Sequence, residues 1–181
     1  MEPVTSSVRD KILVHVCCGP CMMGVFPSLC GVKEVYGFFY NPNIHPLEEF
    51  QKRLMTAGFA SSQAGFGLFV DDEYDVKKWT DFTLSFEDRC SGCVAQRLRR
   101  TAGFAKEKGI PSFTTTLLAS PYQKHDEIKQ AGLEIAAEAG LEFYYRDFRK
   151  NYQDSRKKSK EMRLYRQKYC GCMFSNAEKY A

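Results

Sequence analysis

The sequence has 181 residues, of which 44% are hydrophobic and 27% are charged, and these are the proportions of an ordinary soluble globular protein. The length suffices for a substantial core, so we expect residues 1–181 to form one domain, and the net charge is a modest +4. No apolar run predicts a membrane span and the polar N-terminus does not resemble a signal peptide, so we expect a cytoplasmic protein in which clustered thiols bind metals or react.

Apolar runs alternate with helix-forming segments along the chain. Short runs rich in apolar and β-branched residues predict strands at residues 12–16, 35–40, 67–70, 113–118 and 142–145. Helix-start and helix-stop signals predict helices at residues 20–29, from Pro46 onward, and at 75–84, 90–108, 123–139 and 159–168. On the helix that begins at Pro46, we expect four charged residues to face solvent. They are Glu48, Glu49, Lys52 and Arg53.

This alternation predicts the fold class. Strands that alternate with helices indicate βαβ units, and hence an α/β, Rossmann-like three-layer fold with a mostly parallel sheet. In such sheets ligands bind beyond the carboxyl ends of the strands. The end of the first strand, the segment from Thr115 to Pro121 and the basic loop after the last strand should therefore meet at one edge. Neither G-x-G-x-x-G nor a Walker sequence occurs, so nothing in the sequence favours a nucleotide cofactor.

Seven of the eight cysteines lie in three tight clusters, which predicts metal or redox chemistry. The first cluster begins a predicted helix, where unpaired N–H groups favour thiolates. Five cysteines from the first two clusters exceed what a zinc site needs, and adjacent thiols do not suit one metal ion. Three interpretations remain open: a [4Fe–4S] cluster, a tetrahedral zinc site and a thiol–disulfide enzyme. The clusters comprise Cys17, Cys18 and Cys21, then Cys90 and Cys93, and finally Cys170 and Cys172.

The last cluster differs from the other two. Cys170 and Cys172 flank one glycine and could close a small strained ring, which is typical of a labile, redox-active disulfide. Alternatively, the two cysteines supply additional metal ligands. We expect the isolated Cys30 to have a packing role and His15 to be a hydrogen-bonded core histidine.

Positive charge is concentrated in one segment near the C-terminus. Residues 146–168 contain ten Lys or Arg and three acidic residues, a net charge of +7 against −3 for the rest of the chain. Tyrosines are interleaved with these charges, a mixture that suits unpaired bases and phosphates. The segment therefore predicts an RNA-binding surface, unless it is only a solvated basic helix. The candidate contacts are Arg146, Arg149, Lys150 and Arg156.

Motifs along almost the whole chain resemble those of the QueH-type epoxyqueuosine reductases. The chain departs slightly at Gly19, where the family usually has alanine. The matching pieces are HVCCGPC from His15, FYNPNI from Phe39, RC at Arg89 with Cys93 and RL at Arg97, TTLLASPYQ from Thr115, DFRK from Asp147, and YRQKYCGC from Tyr165.

The resemblance implies a specific activity. Members of the family are iron–sulfur-dependent oxidoreductases, and they are unrelated in sequence to the cobalamin-dependent enzyme that catalyses the same reaction. It reduces the epoxide of epoxyqueuosine at the tRNA wobble position to queuosine, the last step of queuosine biosynthesis, with electrons from an external donor. By resemblance, a [4Fe–4S] cluster is bound by four thiolates and a redox-active pair supplies electrons. The expected ligands are Cys17, Cys18, Cys90 and Cys93, and the expected redox pair is Cys170 and Cys172.

Cys21 has no assigned role in this scheme. It could bind an additional mononuclear iron, with a carboxylate such as Asp71 or Asp72. The main alternative is a zinc-stabilised RNA-binding module without redox activity. A third interpretation, an ATP-dependent tRNA thiolase on a similar sheet, is disfavoured by the absence of a phosphate-binding loop.

Overall fold

A computed structural model describes residues 10–178 and contains a sheet of five parallel strands in the order β3-β2-β1-β4-β5. The predicted α/β class with a parallel sheet is confirmed. The strands are β1 (Lys11–His15), β2 (Glu34–Tyr40), β3 (Gly67–Asp71), β4 (Ser112–Thr115) and β5 (Glu142–Phe143). The helices are α1 (Gly19–Leu29), α2 (Leu47–Ala64), α3 (Val76–Thr83), α4 (Arg89–Glu107), α5 (His125–Ala139), α6 (Tyr152–Glu161) and α7 (Met173–Glu178).

The helices form the two outer layers. Helix α1 packs against α2 and α6, while α4 packs against α5 and α3. The central strand β1 is completely buried from Ile12 to His15, as expected for a strand that is covered on both faces. No helix within residues 10–178 is long and apolar enough to cross a membrane.

The strand order changes direction at β1, and this determines where a ligand can bind. From β1 the chain continues to β2 on one side, and β4 pairs with β1 on the other side, with His15 opposite Thr115. The helices that follow these two strands diverge beyond their carboxyl ends and leave a crevice between them. Cys17 and Thr116 lie at this crevice.

Three predicted elements are wrong in extent or position. One is the last strand, predicted at 142–145, which ends at Phe143. Strand β4 ends at Thr115, because the Thr115 hydroxyl accepts a hydrogen bond from the Leu117 amide and starts a 3₁₀ helix at Thr116–Ala119. The helix predicted at 159–168 lies instead at Tyr152–Glu161, and the backbone leaves it at Arg163, which has a φ of 52°. Residues 164–172 are irregular, and the short helix α7 was not predicted.

Candidate functional site

The first cysteine cluster lies where β1 ends and α1 begins. The Cys17 amide donates a 3.0 Å hydrogen bond to Oγ1 of Thr116, and this hydroxyl donates to Cys17 Sγ at 3.2 Å. Thr116 follows β4, so the two contacts connect the ends of the two strands that flank the crevice. Cys18 is the residue before α1, and Pro20 occupies the first turn of that helix. The local sequence thus places the thiols at a helix N-terminus.

The three thiols of this cluster are close together. Sγ of Cys18 is 3.8 Å from Sγ of Cys17 and 2.9 Å from Sγ of Cys21, and all three sulfur atoms lie within 4.8 Å of one another. Cys18 is buried, whereas Cys17 and Cys21 are partly exposed. Within residues 10–178, these cysteines form the one group of three or more potential metal ligands at such distances.

The environment favours a negative charge on one of these sulfur atoms. Hydrogen bonds from Cys18 and Cys21 lower the pKa of Cys17 well below its usual value, and the Thr116 hydroxyl acts in the same direction. The hydrogen bond to Cys17 raises the pKa of Cys18, and the same partner, together with Cys18, raises the pKa of Cys21. Three sulfur atoms at these distances, one of them placed to accept hydrogen bonds from its neighbours, are a soft donor set that suits iron or zinc.

The second and third clusters lie side by side. Asp88 caps α4 by accepting hydrogen bonds from the amides of Cys90 and Ser91, both at 3.2 Å, and so fixes the helix turn that carries Cys90. Cys93 is buried in a small apolar cluster that also contains Cys172, Trp79 and Phe174. Burial raises the pKa of Cys90, and the neighbouring charge of Asp88 acts in the same direction.

Side chains from α2 hold the segment that carries Cys170. The Arg53 guanidinium is buried and donates to the backbone oxygens of Cys170 at 2.9 Å and Tyr169 at 3.0 Å. Its Nε donates at 2.7 Å to Glu49, whose second oxygen accepts the Tyr165 hydroxyl at 2.5 Å. Burial, followed by this hydrogen bond, raises the pKa of Tyr165 to about 12.

This arrangement corrects an expectation from the sequence. The sequence predicts Glu49 and Arg53 on the solvent face of the helix that begins near Pro46. They are instead 7% and 1% exposed, because the segment 164–172 covers them. The amide of His45 reinforces this contact by donating to the Gly171 oxygen at 2.8 Å.

Cys170 and Cys172 are close to each other but differ in environment. Their sulfur atoms are 3.7 Å apart, and both cysteines are free thiols. Cys170 is exposed and Cys172 is buried. A hydrogen bond from Cys172 lowers the pKa of Cys170 to about 5, and a contact with the Ser175 hydroxyl contributes. The same hydrogen bond raises the pKa of Cys172.

All three clusters contribute to one cleft at the carboxyl edge of the sheet. The cleft has a volume of about 610 Å³. Its other lining residues include Arg97, Asn43 and Gln167, and Gln167 donates to Cys18 Sγ at 3.1 Å. Its cysteines are Cys17, Cys21, Cys90 and Cys170.

The structure brings together most, but not all, of the residues singled out in the sequence. Cys18 lies beneath the cleft beside Cys17, and Cys93 lies behind it beside Cys172. Asp71, a suggested partner for Cys21, instead accepts a 2.8 Å hydrogen bond from Arg100. His15 is a buried, hydrogen-bonded histidine, as expected, with its ring nitrogens 3.0 Å from Thr115 Oγ1 and 3.1 Å from the Tyr40 oxygen.

The four basic residues proposed for RNA contact have different environments. Arg146 donates to the Ser28 oxygen at 3.1 Å and so fastens its segment to α1. Arg149 forms a two-pronged ion pair with Asp147, with distances of 2.9 and 2.6 Å. Lys150 is exposed. Arg156 lines a second pocket together with Cys21 and Gln167, and so connects the basic segment with the thiols.

Sequence reasoning missed Arg53, Gln167 and Tyr122 as residues of the site. Gln167 and Tyr122 lie in motifs that the chain shares with the QueH-type reductases, but neither residue type by itself indicates a site. Arg53 has a charged side chain on an amphipathic helix, for which solvent exposure is the usual expectation. A third pocket, lined by Tyr122, Gln167 and Cys170, extends the cleft toward the basic segment.

Comparison with known proteins agrees with this geometry. Residues 12–178 match the family described as "Epoxyqueuosine reductase QueH". The chain is 37% identical over 180 residues to a protein of that name from Thermotoga maritima, covering 93% of this chain and 91% of the relative. It is 36% identical over 179 residues to one from Dehalococcoides mccartyi, covering 96% of both chains.

Among solved structures, the chain is similar to the U34-tRNA thiolase NcsA from Methanococcus maripaludis with its [4Fe-4S] cluster. The identity is 10% and the TM-score is 0.47, over 86% of this chain and 67% of that chain. At that distance the likeness says nothing about what this chain binds.

Proposed function

Because this chain belongs to the epoxyqueuosine reductase family QueH, it is an oxidoreductase that converts epoxyqueuosine in tRNA to queuosine, and we propose that thiols and iron in the cleft between α1 and α4 perform the reduction. The reaction turns the epoxide at the wobble base into an alkene and releases water, in the last step of queuosine biosynthesis. One observation supports this assignment above the others. Four cysteines from three distant segments of the chain line one cleft at the carboxyl edge of the sheet.

The thiols that line the cleft, together with those directly beneath and behind it, suit an iron–sulfur cluster. Such clusters bind cysteine thiolates, four in the case of [4Fe–4S]. We assign Cys17, Cys18, Cys90 and Cys93 as its ligands. The proximity of Cys17 to Cys18, and the position of Cys90 and Cys93 one turn apart at the start of α4, support this set. The Asn43 oxygen, which is buried at the same cleft and has no hydrogen-bond partner in the described part of the chain, is also compatible with a bound group.

Cys21 is proposed as a ligand of an additional mononuclear iron. Its sulfur atom lies 2.9 Å from that of Cys18 and it faces the cleft, so it belongs to the same group of thiols. When bound, the cluster supplies single electrons, and the reaction needs no cobalamin. The chain itself contributes thiolates to hold it and, through Gln167, an N–H donor to Cys18.

Cys170 and Cys172 are proposed as the source of an electron pair. Two thiols that form a disulfide release two electrons and two protons, which is what converts an epoxide to an alkene and water. The 3.7 Å separation of the sulfur atoms and the lowered pKa of the exposed Cys170 support this role. An external donor then returns two electrons, with two protons, to restore the thiols.

The tRNA is proposed to bind along the basic segment. Lys150 is exposed, and Arg156 lies beside the thiols, so a phosphate backbone held here would bring the wobble base to the cleft. Arg149 would exchange Asp147 for a phosphate. Arg146 contributes positive charge while fastening the segment to α1.

The test separates the two roles of the cysteines. The wild-type protein should be reconstituted anaerobically, assayed for iron and sulfide, and incubated with tRNA that contains epoxyqueuosine, followed by mass spectrometry of the digested tRNA. Cys→Ser variants at the four ligand positions should lose iron and activity. The Cys170→Ser/Cys172→Ser variant should keep its iron and its tRNA affinity but form no queuosine.

Cys30→Ser is the matched control, since Cys30 lies at the end of α1, away from the cleft, and should change neither property. Full iron content in all four ligand variants would contradict the ligand assignment. Near-normal queuosine formation by the double variant would contradict the dithiol role, and loss of iron from it would make these cysteines ligands.

A further inference from the structure

We propose that Tyr122 and Tyr152 form an aromatic platform on which the wobble base stacks while its epoxide faces the thiols. The inference rests on the proposed function, since it assumes that a tRNA base enters the cleft. The two tyrosine side chains lie at the mouth of the cleft, and they carry neither a thiol nor a charge.

Tyr122 is exposed to solvent in a loop with defined backbone hydrogen bonds. Its side chain is 80% exposed, the highest value among the exposed large hydrophobic residues within residues 10–178. It lies in the short loop between the 3₁₀ helix after β4 and helix α5. The Tyr122 amide donates to the Ser120 hydroxyl at 3.3 Å, and the Ser120 amide donates to the Leu117 oxygen. These bonds hold the loop that carries the ring at the carboxyl edge of the sheet, where binding residues of this fold class lie.

Tyr152 completes the platform from the opposite side. It is the first residue of α6, and its ring centroid is 6.0 Å from that of Tyr122, with an angle of 80° between the planes. The Arg156 guanidinium lies 5.7 Å from the Tyr152 ring centroid. The two rings are nearly perpendicular, so they form a corner in which a base can stack on the exposed Tyr122 ring and meet the half-buried Tyr152 ring at its side, with a positive charge nearby. Aromatic rings beside a positive charge are the combination that binds unpaired nucleotides.

The platform stands between solvent and the reactive groups. Both rings line a pocket of about 910 Å³ together with Cys21 and Cys170. The same pocket contains Gln123, whose amide can hydrogen bond a base edge, and Lys168, which can contact a phosphate. A planar base on the Tyr122 ring would lie beside thiols from two clusters. This chemistry favours a nucleobase over an apolar peptide, which would leave these polar groups unpaired.

Binding of three RNA hairpins separates base stacking from other effects. The hairpins carry epoxyqueuosine, guanosine or an abasic site at the wobble position, and affinity is measured anaerobically with the reconstituted full-length enzyme. Stacking of one base predicts that wild type binds the base-containing hairpins on the order of tenfold more tightly than the abasic one. Tyr122→Leu should abolish this difference, whereas Tyr122→Phe should retain it. Tyr152→Leu should reduce it.

Phe59→Leu is the matched control, because Phe59 is an exposed aromatic residue on α2 and its replacement should change no affinity. Equal loss of affinity for all three hairpins in Tyr122→Leu would overturn the proposal, since it would indicate a backbone contact or a folding defect. Unchanged affinities would overturn it as well. Turnover is scored separately, so a wild-type enzyme that binds but forms no queuosine would contradict the function and not the platform.

Discussion

The first and the last cysteine clusters reach the same cleft by opposite means. Cys17 and Cys18 follow a buried central strand and begin a helix, so the backbone of two regular elements fixes their positions. Cys170 and Cys172 lie in the irregular segment 164–172 after α6. Here the charged side chain of Arg53, over a hundred residues away in the chain, fixes the backbone.

The difference shows two ways of building one site. Regular elements place a thiol through hydrogen bonds that the backbone makes in any case. An irregular segment needs partners for its carbonyl groups from elsewhere, since unpaired buried carbonyls are costly. Arg53 supplies several donors at once, and Glu49 compensates its charge. The C-terminal half of the site therefore depends on one buried ion pair, whereas the N-terminal half depends on the sheet.

The largest expected effect follows from breaking that ion pair. Arg53→Met leaves Glu49 buried without its partner, together with two carbonyl oxygens, and should lower the free energy of unfolding by about 3–5 kcal/mol. Urea denaturation measures the loss, and hydrogen exchange should locate the faster-exchanging amides in residues 164–172. Arg99→Met is the control, because Arg99 forms only a 3.9 Å exposed contact with Glu138 and should cost less than about 1 kcal/mol. Similar losses in the two variants would refute the dependence on Arg53.

The same contrast explains what could be predicted from the sequence. The parallel sheet, the position of Cys17 at its edge and the convergence with Thr116 followed from local hydrophobic patterns. The course of residues 164–172 did not, because its partners lie on α2, and a charged residue such as Arg53 has no local signal of burial. The misplaced helix had the same cause. Lys and Arg have high helix propensity in the whole region 156–168, and only tertiary contacts decide where the helix ends.

Two glycines allow the halves of the site to be compared directly. An added methyl group at Gly19 would lie 2.7 Å from the Thr56 backbone oxygen, so Gly19→Ala should force α1 away from α2. Gly171 has a φ of 128°, which L-residues rarely adopt, and an added methyl group would lie 3.1 Å from Ile44. Each substitution should cost about 1–3 kcal/mol of unfolding free energy in denaturation experiments.

The two variants should nevertheless differ in function. The family usually has alanine where this chain has Gly19, but here the added methyl group would lie 2.7 Å from the Thr56 backbone oxygen. Gly19→Ala should therefore displace the turn that carries Cys17, Cys18 and Cys21 and reduce iron content after reconstitution. Gly171→Ala disturbs only the Cys170–Cys172 segment, and should retain iron while losing reductase activity. Gly58→Ala is the control, since nothing lies within 4 Å of the added atom and a helix gains about 0.5–1 kcal/mol from the change. Loss of iron from Gly171→Ala would show that the two halves are not independent.

The smallest expected effect on stability concerns the exposed ion pair between Asp147 and Arg149, which lies shortly after β5. The hydrogen bond from Arg149 lowers the pKa of Asp147 from 3.8 to about 2, with further help from the Arg149 amide. Because the pKa is lower in the folded state, the pair stabilises the protein above the unfolded-state pKa of about 4, and this contribution disappears as the pH falls through about 2.

The side chains of Asp147 and Arg149 are both 43% exposed, so solvent screening limits their coupling to about 0.2–1 kcal/mol. A double-mutant cycle with Asp147→Asn and Arg149→Met, in urea at pH 6 and at pH 2, should show a much smaller coupling at pH 2 than at pH 6. A coupling as large as the loss in Arg53→Met would mean that surface pairs, and not the buried Arg53 alone, hold the chain after β5 in place. A coupling that persists unchanged at pH 2 would show that the backbone hydrogen bond of the Asp147 turn, and not its charge, is what Arg149 stabilises.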